Sequence, residues 1–173
     1  MDRDILRQFY RRYSREIYLY LYSLCKSRET AEDLMQEVFL KALLSLPDQN
    51  ENLRAWLYKV ARNACFNELR NRKREVEMDP AAGADVYAAE AVEKNQDSLS
   101  DILILNEQKK MLYEAMRKLP DRQREILELF YFSEMSMKQI AEIMKLTPQN
   151  VRVLAYRAKK QLREYMEVKE YEL

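Results

Sequence analysis

Two short helical patterns follow each other within residues 137–163, separated only by a tight turn. Ser136 and Gln139 stand three residues apart, which is the spacing of a capping box at a helix start. Thr147 followed by Pro148 supplies an N-cap and a first-turn proline, so a second helix begins at once. The apolar residues of the first pattern share one helical face: Ile140, Ala141, Ile143 and Met144. This arrangement predicts a helix-turn-helix, a motif whose second helix fits the major groove of DNA.

The second of these helices has two chemically different faces. Its predicted buried face is Val151, Leu154, Ala155, Ala158 and Leu162. Its predicted exposed face is Gln149, Arg152, Val153, Tyr156, Lys160 and Arg163. Residues 148–163 contain no acid and five bases, which are Arg152, Arg157, Lys159, Lys160 and Arg163. DNA binding is one interpretation of this face, and an ordinary helical hairpin with a solvated charged face is the other.

The composition of the whole chain favours helices. One glycine and four prolines among 173 residues, with abundant Leu, Glu, Arg, Lys, Ala and Met, are typical of an all-helical protein. Because there is no histidine, Cys25 and Cys65 are expected to be reduced, small apolar residues rather than zinc ligands, and no cofactor is expected. No apolar run reaches the length of a membrane span and the N-terminus lacks signal-peptide character, so a soluble, cytoplasmic protein is expected.

The N-terminal part predicts two helices and a loop. Residues 3–25 carry apolar and aromatic side chains at steps of three and four, which predicts one amphipathic helix or a broken pair with a packed aromatic stripe. Thr30, with Asp33 three residues later, predicts the start of a second helix that continues to Pro47. The apolar positions of this helix are Leu34, Val38, Leu40 and Leu44. Residues 48–52 form a polar loop.

A long helix is predicted from Leu53 to about Arg74, with two contrasting faces. Its buried side is Trp56, Leu57, Val60, Ala61 and Ala64. Its exposed stripe is Lys59, Asn63, Phe66 and Arg70, with Arg62 and Lys73 beside it and Asn67 between the stripe and Trp56. Residues 62–74 contain five bases and one acid. Bases with an aromatic ring among them are the chemistry of a single-strand binding surface, although Phe66 packing against a neighbouring helix explains the ring equally well.

Residues 75–107 differ in composition from the segments on either side. They contain nine acids and one base, together with the only glycine of the chain. This predicts a solvating linker, whose acidity could also shield a basic surface when DNA is absent. The predicted fold class is therefore all-α, with two small helical domains at 1–74 and 105–173 joined by a flexible acidic linker at 75–104.

The second domain is predicted to contain further helices before the helix-turn-helix. Apolar periodicity runs through Leu105, Leu112, Met116 and Leu119. After Pro120, Asp121 is predicted to cap a helix. The core side of that helix is Ile126, Leu127, Leu129 and Phe130. Residues 165–173 are predicted to form a fraying, charged tail.

Three segments together resemble a known protein family. They are AEDLMQEVFLKAL at residues 31–43, LRAWLYKVARNACFNELRNRKR at residues 53–74, and LPDRQREILELFYFSEMSMKQIAEIMKLTPQNVRVLAYRAKKQLRE at residues 119–164. In this order, across an acidic linker, they resemble the bacterial RNA polymerase sigma factors of the extracytoplasmic-function (ECF, group IV) group. The resemblance implies a stress-response transcription factor, without catalysis of its own, that binds core RNA polymerase and directs promoter recognition, melting and transcription initiation.

The resemblance also implies roles for three groups of residues. Docking on the clamp helices of the polymerase's largest subunit is implied for Asp33, Gln36, Glu37, Leu40 and Lys41. Melting of the minus-ten element is implied for Asn50, Trp56, Lys59, Arg62, Asn63, Phe66, Asn67, Arg70, Lys73 and Arg74, with the loop Pro47–Asn52 lining a pocket for an extruded base. Reading of the minus-thirty-five duplex is implied for Thr147, Gln149, Asn150, Arg152, Val153, Tyr156, Arg157 and Lys160.

The implied partners are core RNA polymerase, promoter DNA and an anti-sigma factor. The free chain is expected to be a monomer with no small-molecule substrate and no membrane insertion. Three positions depart from the family's pattern: Asn67 stands where an acid is usual, Lys145 where a glycine is common, and apolar Leu154 where an arginine is expected. The residues predicted to read bases are Val153, toward a thymine methyl, and Gln149 or Asn150, toward adenine.

Two other classes of function account for fewer of these residues. A stand-alone helix-turn-helix regulator with a helical dimerisation or sensor domain would explain the C-terminal half, but not the acidic helix or the basic and aromatic helix before it. An enzyme is disfavoured, because the chain has no histidine, no phosphate-cradling glycine loop and no predicted metal cluster.

Overall fold

The computed structural model describes residues 3–45, 52–78 and 107–172. These residues contain helices and no strands. They fall into two compact units, one before and one after residues 79–106. The N-terminal unit contains α1 (Arg3–Cys25), α2 (Arg28–Leu44) and α3 (Leu53–Met78). The C-terminal unit contains α4 (Glu107–Lys118), α5 (Asp121–Leu127), a π-helix (Glu128–Phe132), α6 (Met137–Met144) and α7 (Pro148–Glu172). The prediction of an all-α protein with two small domains is confirmed.

In the N-terminal unit, α1 is one continuous helix that packs against both α2 and α3. The core side chains come from all three helices: Ile17, Leu21, Val38, Leu57, Tyr58 and Cys65. Aromatic contacts join the helices, since Phe9 meets Phe39 with ring centroids 5.8 Å apart and Tyr20 meets Tyr58 at 4.9 Å. The aromatic stripe of α1 therefore serves packing, as predicted.

The start of α2 differs from the prediction. Ser27, and not Thr30, is the N-cap, and its hydroxyl accepts a hydrogen bond from the backbone N–H of Thr30 at 3.3 Å. Thr30 lies buried in the first turn, where its hydroxyl accepts a hydrogen bond from Arg72 at 2.6 Å. Of the four apolar positions that predicted this helix, Leu34 and Val38 are buried, whereas Leu40 and Leu44 are 56% and 77% exposed. The side of α2 that is buried is set by its packing against α1 and α3, which the spacing of its apolar residues does not show.

A polar cluster fixes the beginning of α3 against α1. The guanidinium of Arg54 donates from two nitrogens to the carboxylate of Glu16, at 2.8 to 3.1 Å, and the hydroxyl of Tyr58 donates to the same carboxylate at 3.0 Å. The hydrogen bonds that Arg54 donates to the Glu16 carboxylate raise the pKa of Arg54 above its ordinary value. Asn52 caps α3, because its Oδ1 accepts hydrogen bonds from the backbone N–H groups of Arg54 and Ala55.

The two cysteines lie in helices, are buried and are not joined in a disulfide. A hydrogen bond from Cys65 lowers the pKa of the Cys25 thiol to about 7, against the opposing effect of burial. Among residues 3–45, 52–78 and 107–172 no cluster of His, Cys, Asp and Glu could hold a metal ion. In the same ranges, no helix combines the length and apolar character of a membrane span.

The core of the C-terminal unit gathers apolar residues from every helix. These are Ala115, Met116, Leu119, Ile126, Leu127, Leu129, Ile140, Ile143, Val151, Ala155 and Ala158. Asp121 is the first residue of α5 and not its cap, which is Pro120 without a side-chain hydrogen bond. The carboxylate of Asp121 instead pairs with Arg124 at 2.6 Å. The π-helix was not predicted, and it leaves Tyr131 and Phe132 more than half exposed.

The last helix is longer than the sequence indicated. α7 continues to Glu172, so the prediction of a fraying tail from residue 165 is wrong for the described residues. Tyr165 is held by a hydrogen bond from Gln161 at 2.9 Å, and Lys118 of α4 lies 6.0 Å from its ring centre. The contact with Lys118 joins α7 to α4 at Tyr165, and the charge of residues 165–173 did not indicate it.

Candidate functional site

The exposed side of α3 carries most of the predicted minus-ten residues. Lys59, Phe66, Asn67 and Arg70 are exposed, and so are Lys73 and Arg74 farther along the helix. Asn63 and Trp56 are half-buried at the edges of this surface. A ring that is 36% exposed between basic side chains can stack on an unpaired base while the cations contact phosphates. We call Lys59, Asn63, Phe66 and Arg70 the α3 stripe.

Arg62 is more buried than its predicted place beside the α3 stripe suggested. Its side chain is only 9% exposed, and its guanidinium carbon lies 4.4 Å from the ring centre of Phe66. The position follows from helical spacing, because Arg62 is four residues after Tyr58 and three before Cys65, both of which are buried. Arg62 therefore lies beside the stripe, as predicted, but on its buried border and not on the exposed surface.

A second basic residue of α3, Arg72, is bonded to other residues of the same domain. Arg72 donates to Thr30 at 2.6 Å and pairs with Glu68 at 3.2 Å. Of the five bases between residues 62 and 74, Arg70, Lys73 and Arg74 are therefore the exposed ones. Residues 47–51 of the predicted pocket loop, which include Asn50, lie outside the described residues.

The predicted docking residues lie together on one exposed face of α2. Asp33, Gln36, Glu37, Leu40 and Lys41 are all exposed, and Lys41 pairs with Glu37 at 3.1 Å. The face is also more apolar than the sequence suggested, since Leu43 and Leu44 are 42% and 77% exposed beside Leu40. A patch of exposed leucines among acids is typical of a protein-binding surface rather than a nucleic-acid surface.

The helix-turn-helix is formed by α6 and α7. The capping box of Ser136 and Gln139 is complete, and Thr147 accepts a hydrogen bond from the backbone N–H of Asn150 at 3.2 Å. The turn passes through Lys145, whose φ of 55° and ψ of 46° are left-handed, a conformation that favours glycine. Ile140, Ala141, Ile143 and Met144 are buried as predicted.

The outer face of α7 presents every predicted minus-thirty-five residue to solvent. The exposed residues are Thr147, Gln149, Asn150, Arg152, Val153, Tyr156, Arg157 and Lys160. Val153 and Tyr156 are 43% and 70% exposed, which leaves apolar groups available for contact with a base edge. Lys159 is directed elsewhere, since its ammonium lies 5.1 Å from the ring centre of Phe130 and 5.4 Å from that of Tyr131.

Comparison with known proteins identifies both domains. Residues 9–75 match the family Sigma-70 region 2, and residues 109–162 match Sigma-70, region 4. The ECF RNA polymerase sigma factor SigM of Bacillus subtilis is 29% identical over 157 residues, covering 90% of this chain and 91% of SigM. The RNA polymerase sigma factor YlaC of Bacillus subtilis is 30% identical over 173 residues, covering 95% of this chain and 93% of YlaC.

A solved structure supports the same fold. The sigma factor RpoE of Bartonella quintana, crystallised with the anti-sigma factor NepR, aligns with a TM-score of 0.70 at 24% identity, covering 94% of this chain and 96% of RpoE. Because both halves match the two sigma-70 regions in order, a stand-alone regulator is not favoured. The chain belongs to the ECF group of bacterial RNA polymerase sigma factors.

Proposed function

We propose that the two domains of this sigma factor divide promoter opening and promoter reading between them. In this proposal residues 1–74 bind core polymerase and the minus-ten element, residues 105–173 bind the minus-thirty-five element, and residues 75–104 link them. The protein acts in the cytoplasm and catalyses no reaction of its own. The single observation that carries the proposal is the α3 stripe, where an exposed phenylalanine lies between exposed bases on one rigid helix.

In the N-terminal domain, α3 binds the non-template strand after it separates. Phe66 stacks on a base, while Lys59, Arg70, Lys73 and Arg74 contact phosphates. Stacking of one base on an aromatic ring contributes about 1 to 3 kcal/mol, which offsets part of the cost of unpairing. Asn50, Trp56, Asn63 and Asn67 complete the proposed minus-ten surface.

In the same domain, the α2 face binds the polymerase. Asp33 and Glu37 form ion pairs with basic side chains of the clamp helices. The exposed Leu40 packs against apolar side chains of the same helices. Gln36 and Lys41 complete this surface. The exposure of the leucines and acids on one helix supports the role, because such a patch is unfavourable unless a partner covers it.

The C-terminal domain reads duplex DNA with α7. Thr147, Arg152, Arg157 and Lys160 contact phosphates, whereas Gln149, Asn150, Val153 and Tyr156 face base edges in the major groove. Each domain alone offers few phosphate contacts, so the free chain should bind DNA poorly. Polymerase holds the two domains at a fixed spacing, so two weak contacts combine into selective binding.

An anti-sigma partner is part of the proposal. RpoE of Bartonella quintana, which shares this fold, was solved with the anti-sigma factor NepR. A protein that covers the α2 face and the basic helices would hold this chain inactive as a monomer in a one-to-one complex. The exposed leucines of α2 would then be covered in both the inhibited and the polymerase-bound state.

The test is binding of the full chain to core RNA polymerase. We expect saturable, sub-micromolar binding, lost in the double variant Asp33→Arg/Glu37→Arg. The matched control is Glu75→Arg/Glu77→Arg, which makes the same charge change at two exposed positions near the end of α3. Absence of binding by the unaltered chain, together with a salt-sensitive dimer on duplex DNA, would overturn the proposal and favour a stand-alone regulator.

A further inference from the structure

A row of arginines on α1 has no role in the surfaces described above. Arg3, Arg7, Arg11 and Arg15 recur at four-residue steps and are all exposed. None of them forms a hydrogen bond or an ion pair with any of the residues that the structure describes. At 1.5 Å per residue the row extends about 18 Å along the helix. We call these four residues the α1 arginine row.

The row is electrostatically unfavourable within the isolated domain. Like charges four residues apart on a helix repel each other, and the row contains three such pairs in succession. Two acids occur among residues 3–16. Asp4 forms no ion pair with a described residue, and Glu16 already accepts hydrogen bonds from Arg54 and Tyr58. Glu32 of α2 lines a groove together with Arg15 but forms no ion pair with a described residue. Positive charges that repel each other, with no acid paired to them among the described residues, indicate a surface that an anionic partner covers.

The row leads into a groove between α1 and α2. This groove has a volume of about 340 Å³ and is lined by Ser14, Arg15, Tyr18, Glu32, Met35 and Gln36. Gln36 belongs to the proposed docking face of α2, so the groove joins that face to the α1 arginine row. The two helices run antiparallel, since Tyr10 contacts Phe39 near one end of α1, while Tyr18 lines the groove together with Met35, which precedes Phe39 in α2.

The location favours the polymerase over promoter DNA as the anionic partner. Glu16 and Tyr20 of α1 contact α3, and helical spacing places them on the flank away from the groove. Arg12, which is outside the row, lies over the Tyr13 ring at 5.5 Å on that other flank. A molecule on the α3 stripe would therefore approach a different side of α1 from a molecule seated on the α2 face.

We infer that the α1 arginine row, through Arg7, Arg11 and Arg15, binds acidic side chains of the same polymerase surface that contacts α2. The inference rests on the proposed docking role of α2 and extends that site across the groove. The polymerase surface would then have two parts. One part presents basic and apolar side chains to Asp33, Glu37 and Leu40, and the other presents acidic side chains to the arginines. Such an alternation restricts both the register and the orientation of docking.

The test uses Arg11→Glu in the full chain, with Arg12→Glu as the matched control. The two substitutions change the same charge at adjacent exposed positions, one inside the row and one outside it. Arg11→Glu introduces two favourable four-residue pairs, with Arg7 and Arg15, so its thermal midpoint should be unchanged or higher. A structural role alone would not combine retained stability with lost binding. Arg11→Lys, which keeps the charge, serves as the conservative variant.

We expect Arg11→Glu to weaken core polymerase binding at least tenfold and to reduce its salt dependence, while Arg11→Lys and Arg12→Glu stay within about threefold of the unaltered chain. Equal binding by Arg11→Glu and Arg12→Glu would overturn the inference. Unchanged core binding combined with weaker promoter binding by the assembled holoenzyme would also overturn it, and would assign the row to DNA. If the unaltered chain itself fails to bind core polymerase, the proposed function fails first, so the two failures are distinguishable.

Discussion

The guanidinium of Arg62 lies 4.4 Å from the centre of the Phe66 ring, on the buried side of that ring. A cation over an aromatic face contributes about 0.5 to 2 kcal/mol, more when it is shielded from water. Phe66 is one turn farther along α3 and is 36% exposed. One face of the ring is thus held by the domain, which limits its rotation before any base arrives. The proposed stacking surface is therefore preorganised by a residue that itself does not face the strand.

Removing this support should weaken promoter opening. Arg62→Lys keeps the charge but loses the planar group that lies on the ring, so Phe66 gains rotational freedom. We expect promoter melting by the holoenzyme, measured with a fluorescent base analogue in the minus-ten element, to fall about threefold to tenfold. Binding to core polymerase should not change, because the α2 face is untouched.

A double-mutant cycle supplies the control for this prediction. If Arg62 acts through Phe66, the variant Arg62→Lys/Phe66→Ala should open the promoter no more slowly than Phe66→Ala alone. Additive losses would contradict a positioning role and would assign Arg62 an independent contact. Unfolding followed by the fluorescence of Trp56, the only tryptophan of the chain, reveals any loss from instability of this domain.

Much of the fold could be predicted from the sequence because local signals were strong. The capping box at Ser136, the Thr147–Pro148 start and the apolar spacing of α6 each depend on neighbours within one helical turn, and all three are confirmed. The start of α2 was missed, because Ser27 and Thr30 are both good caps by type. Only the bond from Arg72, distant in sequence, shows that Thr30 belongs to the interior.

The candidate sites were predictable to a similar extent. Exposure of the α7 face followed from helical spacing, and the α2 face was implied by the family resemblance. The burial of Arg62, at the border between the α3 stripe and the core, followed from neither. The groove between α1 and α2 could not be predicted, because it depends on how the two helices pack. The role of the α1 arginine row depends on that groove, and for the same reason the sequence alone did not assign one.

The cluster of Glu16, Arg54 and Tyr58 should stabilise the N-terminal domain. Glu16→Gln removes the charge that two donors share and leaves Arg54 less fully paired. We expect the free energy of unfolding to fall by about 1 to 2 kcal/mol, measured by urea titration with Trp56 fluorescence. Glu29→Gln, an exposed acid in the first turn of α2, is the charge-matched control and should cost less than about 0.5 kcal/mol. An equal effect of both would exclude a special role for the cluster.

The stability of the same domain should depend on pH through Cys25. Its folded pKa of about 7 is below the ordinary thiol value of about 8.5, so between these values the unfolded chain binds more protons. The free energy of unfolding should therefore rise with pH across this window. The contribution of Cys25 to stability is lost as pH falls through about 7. Cys65→Ala removes the hydrogen bond that contributes most to the lowered pKa, so this rise should be smaller in that variant. Parallel pH dependence in the two proteins, under reducing conditions, would contradict the coupling.

Promoter selection should depend on two exposed residues of α7. Val153→Ala removes an apolar contact with a thymine methyl, and Gln149→Ala removes a hydrogen-bonding pair with adenine. We expect each to relax preference at one position of the minus-thirty-five element by about 1 kcal/mol or more, measured by competition between promoter variants. Lys160→Ala, at a proposed phosphate contact, should instead weaken all sequences alike and reduce the salt slope. Unchanged selection by both first variants would remove these assignments.

The turn of the helix-turn-helix carries backbone strain that a glycine would relieve. Lys145 adopts φ 55° and ψ 46°, a conformation that costs a residue with a Cβ about 1 to 2 kcal/mol. Glycine avoids this cost but raises the entropy of the unfolded chain, so Lys145→Gly should stabilise the C-terminal domain by about 0.5 to 1 kcal/mol. Hydrogen exchange of the α6 and α7 amides measures the change. Glu142→Gly, at an exposed position inside α6, should destabilise the same amides by about 1 kcal/mol, because glycine there loses helix propensity without relieving strain. Loss of protection in both variants would mean that the turn at Lys145 is not strained.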